Sequence, residues 1–173
     1  NEYGSITEVA ESPVLPGIVW AGTDDGNIQV SKDNGLTFTE VGKNIPGVNH
    51  ETYVSGLEAS WYDAGTAYIA LDGKRNNDFK PYIFKTTDYG ATWTSVSGNL
   101  PQGNVNSIRQ DPKNRNLLYA PTEYGFYVSL DDGKTWESFM PNLPQGRIDE
   151  VVVHPRDNDL ILGTHSRGVW ILD

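Results

Sequence analysis

Apolar and polar residues alternate along this chain in short runs, and no stretch carries the i, i+3, i+4, i+7 spacing of a long amphipathic helix. Residues 104–146 show the unit most clearly. Residues 105–110 (VNSIRQ) alternate as a strand, and 111–116 (DPKNRN) are a polar turn. Residues 117–122 (LLYAPT) form a second, mostly apolar strand. After a turn at 123–125 (EYG), residues 126–130 (FYVSL) and 135–140 (TWESFM) read as a third and a fourth strand around a DDGK hairpin tip. Four short strands with turn residues every few positions describe one propeller blade.

The unit repeats. Ser/Thr-x-Asp-x-Gly-x-Thr-aromatic occurs as SKDNGLTF from Ser31, TTDYGATW from Thr86 and SLDDGKTW from Ser129, with its aspartates 55 and 43 residues apart. NIPG at Asn44, NLPQG at Asn99 and NLPQG at Asn142 keep the same steps. A third element precedes the octapeptide, from Glu11, Asp111 and His154. A period of roughly 40–50 residues is that of propellers. The pattern predicts an all-β chain of four-stranded antiparallel blades at about 5–47, 48–103 and 104–146. A partial fourth follows at 147–173, with no octapeptide and no outer strand.

The octapeptide has a local physical role. Its Asp (Asp33, Asp88, Asp131) accepts hydrogen bonds within its own turn. Its Gly (Gly35, Gly90, Gly133) permits the positive φ of a tight hairpin. Its aromatic residue (Phe38, Trp93, Trp136) starts the outer strand and packs under the hairpin. These nine residues read as structural.

This arrangement resembles the Asp-box (BNR) repeat propellers, which include sialidases, sortilin-type receptor domains and two-propeller xyloglucanases. It is most similar to large secreted bacterial proteins of the sortilin-like or "glycosyl hydrolase BNR-repeat" kind, and to the last blades of such a propeller. The resemblance implies an extracellular or periplasmic location and a ring completed by partners. Those partners would be the remaining blades of a longer polypeptide or a second copy of this chain. The fold says little about function.

Composition narrows the chemistry. Twenty-three acidic against thirteen basic residues give a net charge of −10, which disfavours nucleic acid and anionic membrane surfaces and suits a peptide, protein, glycan or cation. There is no Cys, hence no disulfide, Cys-bound zinc or thiol nucleophile. No run is long and apolar enough to insert into a membrane. The turns at Asp24, Asp25 and Asn27 and at Asp72, Asn76, Asn77 and Asp78 are rich in oxygen. They lack EF-hand spacing, and turn-forming side chains explain them more simply than Ca²⁺ does. No cofactor or metal is expected.

A sialidase needs an arginine trio, an acid/base Asp and a Tyr–Glu pair, and no such motif surrounds Glu123 and Tyr124. A glycosidase needs two carboxyl groups roughly 5–10 Å apart, and sequence cannot pair the candidates. No catalytic residue is assigned. Function is expected where the repeat breaks. One break is the insertion at 72–82 (DGKRNNDFKPY), whose Lys74, Arg75, Phe79, Lys80 and Tyr82 are basic or aromatic on an acidic chain. The other is 164–170 (THSRGVW), with His165 and Arg167. With Glu123 and Tyr124, these are the candidate binding residues. The reading is a non-enzymatic recognition or scaffold module that binds peptide, protein or glycan on a propeller face. The alternative is part of a glycoside hydrolase whose carboxylates are shared with other blades or a second propeller.

Overall fold

The computed structural model describes residues 4–140, 143 and 146–172. Asp173 and three residues of the third NLPQG motif (Asn142, Pro144, Gln145) lie outside the described residues. The chain is all-β, with four antiparallel sheets arranged as propeller blades. Blade 1 holds β1 (Ile6–Glu11), β2 (Val19–Thr23), β3 (Ile28–Ser31) and β4 (Thr39–Glu40). Blade 2 holds β5 (Tyr53–Ala59), β6 (Ala67–Asp72), β7 (Tyr82–Thr86) and β8 (Thr94–Ser95). Blade 3 holds β9 (Arg109–Gln110), β10 (Leu118–Thr122), β11 (Gly125–Ser129) and β12 (Glu137–Ser138). Blade 4 holds β13 (Ile148–Val153), β14 (Leu160–Thr164) and β15 (Val169–Leu172). Each sheet runs in sequence order as a meander.

Two strands are shorter than the alternation predicts. Residues 105–110 pair only at Arg109 and Gln110, plus a single bridge from Val105 to Thr122. Pro121 faces the gap and has no N–H to give; only its carbonyl is used, by the Asn106 N–H at 2.9 Å. The outer strand of blade 3 covers two residues instead of six. Before it, Thr135 bonds to Asp131 of its own hairpin and the Trp136 N–H to Asn99 of blade 2; after it, the Phe139 N–H still bonds to the Phe126 carbonyl.

The hydrophobic core is three seams between consecutive blades. Trp20, Ile28 and Val30 of blade 1 pack against Val54, Leu57 and Ile69 of blade 2. Tyr68, Ala70 and Ile83 pack against Val105, Ile108 and Leu118. Tyr119 and Phe126 pack against Ile148, Val151 and Leu162. Two-sided burial explains why β6 and β10 read as continuous apolar runs.

The octapeptides do more than close hairpins. Within each, the Asp accepts from the Thr backbone N–H and hydroxyl four residues on, as Asp131 does from Thr135 at 2.8 and 2.7 Å. The indole of Trp93 donates to the Val41 carbonyl of blade 1 (3.1 Å), and that of Trp136 to the Val96 carbonyl of blade 2 (2.9 Å). Asn44 returns a bond to the Gly90 carbonyl (2.8 Å), and Asn99 brackets the Trp136 backbone with both amide atoms. The octapeptide and the Asn-x-Pro motif therefore keep one register because they meet across a seam. The three aromatics differ from the common expectation of packing beneath their own hairpins: Trp93 and Trp136 reach the preceding blade, and Phe38 lies against Gly35 of its own hairpin. It is 43 % exposed, against 5 % for Trp93 and 3 % for Trp136, because those indoles pack on the preceding blade and Phe38 has none beneath it.

Candidate functional site

The β2–β3, β6–β7, β10–β11 and β14–β15 turns gather at one end of the propeller. A shared contact sets their register: the turn residue donates its backbone N–H to the residue preceding the inner strand. Asp24 bonds to the Ser5 carbonyl at 3.0 Å, Glu123 to that of Asn104 at 3.1 Å and His165 to that of Arg147 at 3.2 Å. Asp24, Glu123 and His165 are thus equivalent positions of three blades.

In blade 2 the insertion occupies this place, folded as a short 3-10 turn over Lys74–Asn76 and closed by Asn77 in the left-handed region. Its adjacent cations point in opposite directions. Lys74 Nζ pairs with Glu123 of blade 3 at 3.2 Å. The Arg75 guanidinium bonds to the Asp24 carbonyl of blade 1 at 3.1 Å, lies 3.9 Å from the Asp24 carboxylate and sits over the Tyr53 ring. Tyr82 donates to Asp78 at 2.7 Å, and burial together with that bond pushes its hydroxyl up to about 12. The Phe79 carbonyl accepts from the Gly103 N–H (2.8 Å), and Lys80 donates its own N–H to Asp78 (3.2 Å). Tyr124 is exposed, its ring over Gly103. In the fourth turn, His165 Nδ1 lies 3.4 Å from Asp149, while the Arg167 backbone accepts from the Trp170 indole.

The oxygen-rich turns spend their side chains locally. Asp72 accepts from the Lys74 N–H at 2.8 Å, and Asp25 from the Asn27 amide at 3.0 Å. Asp24 accepts from the backbone N–H groups of Gly4 and Ser5, both at 2.9 Å.

Below these turns, at the mouth of the central channel, lies an open cavity of about 350 Å³. Glu8, Asp72, Asp149 and Glu150 bring carboxylates to it; Arg147 and His165 bring the basic groups, with Tyr53, Ser55 and Asn106 between. Of the candidate binding residues named from the sequence, His165 lines this mouth; Arg75 lines a separate cavity with Asp24, Asp25, Glu51 and Asn76.

Deeper in the channel, Arg109 lies 3.2 Å from Glu150 and 3.8 Å from Glu58. Burial pushes both Glu8 and Glu58 up to about 7, against the opposing pull of Arg109. Glu58 is held by the Trp61 indole at 3.0 Å, and Glu150 by the Ser107 hydroxyl at 2.6 Å. Sequence reasoning passed over Glu8, Glu58, Arg109 and Glu150. Their signal was a charged residue within each inner-strand segment.

The Sortilin-Vps10 family model (sortilin, neurotensin receptor 3) matches residues 81–170, more than half of the chain. An oligoxyloglucan-reducing end-specific xyloglucanase of Emericella nidulans is 32 % identical over 113 residues, which are 58 % of this chain and 13 % of that protein. The crystal structure of a GH74 xyloglucanase from Xanthomonas campestris superposes with a TM-score of 0.75 at 15 % identity, over 98 % of this chain and 29 % of that one. YCF48 bound to D1 peptide gives 0.65 at 15 % identity, over 98 % and 56 %. The chain thus spans about an eighth of the length of the curated relative it matches. By the family match, carried by blades 2 to 4, this chain belongs to the Sortilin-Vps10 family.

Proposed function

We propose that this chain is a non-enzymatic recognition module of a secreted Asp-box propeller protein, and that it takes a peptide segment at the channel mouth. The observation that carries this reading is the open, mixed-charge cavity beneath the β14–β15 turn, where four carboxylates face Arg147 and His165. Its acidic excess suits a segment bearing Lys or Arg. The insertion stands at the rim with its cations turned toward neighbouring blades, so it supports the mouth instead of closing it. Peptide binding by the similarly folded YCF48 agrees with this reading.

The test is a peptide and glycan array probed with the wild-type chain, Asp72→Asn and Glu150→Gln, which each remove one carboxylate from the mouth. Binding of basic peptides that falls about tenfold in both variants supports the reading. Binding that survives both places the ligand elsewhere.

A second reading, part of a glycoside hydrolase, rests on Glu8 and Glu58. A carboxyl group held near 7 is one that can give up a proton as a general acid, and both are raised to about that value. The xyloglucanase relative points the same way. Turnover of xyloglucan oligosaccharides by the longer protein, abolished by Glu8→Gln, would favour this reading; no turnover would remove it.

A further inference from the structure

The three blade seams share one bond at the inner edge, toward the mouth. A side chain of each inner strand donates to a backbone carbonyl of the next blade: Thr7 to that of Val54 at 2.9 Å, Ser55 to that of Val105 at 2.7 Å and Asn106 to that of Ile148 at 2.7 Å. At the opposite end the seams differ. Strand pairing aligns Trp20 with Val30 in blade 1, Tyr68 with Lys85 in blade 2 and Tyr119 with Val128 in blade 3. Each pair meets an inner-strand residue of the next blade, Ala59, Gln110 and Val153 in turn, which hold one register position. The first seam is apolar at all three places. The third is apolar at two, and its Tyr119 hydroxyl turns back to Asp111 of its own blade at 2.9 Å. The second holds an ammonium and an amide there. The hairpin of the next blade changes with them. Asp132 of blade 3 stands where blade 2 has Tyr89; both take positive φ, and both give their N–H to the turn between the first two strands.

These residues enclose a cavity of about 260 Å³ between blades 2 and 3. Tyr68 and Gln110, both buried, form its floor. Gln110 is spent on its neighbours. Its Oε1 accepts from the Ser60 hydroxyl at 2.8 Å and the Trp61 N–H at 3.1 Å; its Nε2 donates to the Arg115 carbonyl at 2.8 Å and the Tyr68 hydroxyl at 3.3 Å. Tyr68 donates to Asp132 at 2.6 Å, and burial followed by that bond pushes its hydroxyl well up, so it stays a donor. The other Asp132 oxygen pairs with Lys85, whose ammonium also lies over the Tyr68 ring. At the rim, Arg115 pairs with Asp63 at 2.7 Å. Both carboxylates keep unused lone pairs, and both cations keep unused N–H groups. The buried Thr66 also lines the cavity, and its hydroxyl has no hydrogen-bond partner among the described residues.

Charges set into a seam weigh against stability, and apolar residues of similar size do as well or better there. The first and third seams show that this fold accepts apolar residues at the same places, so the charges of the second ask for a role beyond packing. We propose that the cavity between blades 2 and 3, at the end opposite the mouth, binds a small zwitterion the size of a free amino acid, with its carboxylate on Lys85 and Arg115 and its ammonium on Asp132 and Asp63. The two signs of charge balance within the cavity, so an ion of one sign leaves the other wall unmatched. The volume falls below the roughly 300–1,000 Å³ of sites for drug-sized ligands, which sets the ligand at amino-acid size. Gln110 is a positioning residue: it fixes the Tyr68 hydroxyl, which in turn orients Asp132.

Titration calorimetry of the intact chain with L-alanine, L-serine and L-glutamine tests this. No mouth residue is altered, so the outcome is independent of the recognition reading. At least one of the three binds with a Kd below about 1 mM, and acetate and ethylamine, its two charged groups taken apart, bind at least about tenfold more weakly. Lys85→Val copies Val30 and Val128 of the other seams, and Asp132→Asn keeps an acceptor for Tyr68. Each weakens amino-acid binding by at least about tenfold. The urea midpoint of Lys85→Val is no lower than that of wild type, which separates lost binding from lost folding, and basic-peptide binding on the array is unchanged in both variants. Absence of binding by all three amino acids overturns the proposal. So does acetate or ethylamine that binds as tightly as the amino acid, or a folded Lys85→Val chain that binds at wild-type strength.

Discussion

Each octapeptide aspartate uses both carboxylate oxygens inside its own hairpin. Hydrogen bonds from the Thr135 hydroxyl and backbone hold the Asp131 carboxyl down to about 2, and those from Thr37 do the same for Asp33; Asp88 is lowered by Thr92. A folded value below the unfolded one stabilises the fold above the ordinary carboxylate range of roughly 4. That contribution disappears as pH falls through about 2. Asp131→Ala is therefore expected to show a smaller loss of stability than wild type between these two values, read by tryptophan fluorescence during acid titration. Glu58 has the opposite sign. Its folded value of about 7 lies above the ordinary glutamate value of 4.5, so its contribution is full below 4.5 and is lost as pH rises through 7. Glu58→Gln keeps an oxygen for the Trp61 indole and removes the buried charge. It is expected to raise stability by about 1 kcal/mol at pH 8 and to change little at pH 4, measured by urea denaturation at both values. A variant destabilised equally at both would show that the Arg109 pairing outweighs the desolvation of Glu58.

At the scale of elements, the hairpins were legible in the sequence and the seams were not. Ser31, Thr86 and Ser129, with their Asp, Gly and Thr partners, recur in fixed spacing because each hairpin is satisfied locally. The inner-edge bonds come from Thr7, Ser55 and Asn106, which share a donor and no residue type, so no motif marks them. Lys74 and Arg75 were legible as a departure from the repeat. Their pairing with Glu123 and Asp24 depends on which turns the propeller brings to one end, and spacing does not show that. The outer seam gives the sharpest test of how elements join. Trp136→Phe keeps an aromatic ring at a buried position and removes the N–H that satisfies the Val96 carbonyl. It is expected to cost about 1–2 kcal/mol, with chemical unfolding as the measure. Phe38, with no blade beneath it, is the internal reference: Phe38→Ala should cost less than Trp136→Ala.

Across the whole molecule, the insertion joins three blades at the mouth end through two adjacent side chains. Both are about half exposed, at 51 % for Lys74 and 54 % for Arg75, so water and salt screen them and neither adds much to global stability. Their effect should instead be local and directional. Arg75 also covers the Tyr53 ring and bonds to a backbone carbonyl, contacts that salt weakens less than it weakens the Lys74–Glu123 pair. Lys74→Ala is expected to speed amide exchange in the turn holding Glu123 and Tyr124, and Arg75→Ala in the turn from Asp24 to Asn27. Global stability should fall by less than about 1 kcal/mol in either case. At 1 M salt, where the screening length shrinks to about 3 Å, Lys74→Ala should no longer differ from wild type, while Arg75→Ala still should. Hydrogen exchange with mass spectrometry at low and high salt reads all four conditions. If either substitution instead loosens both turns equally, the insertion moves as one piece, and the two cations do not anchor separate blades.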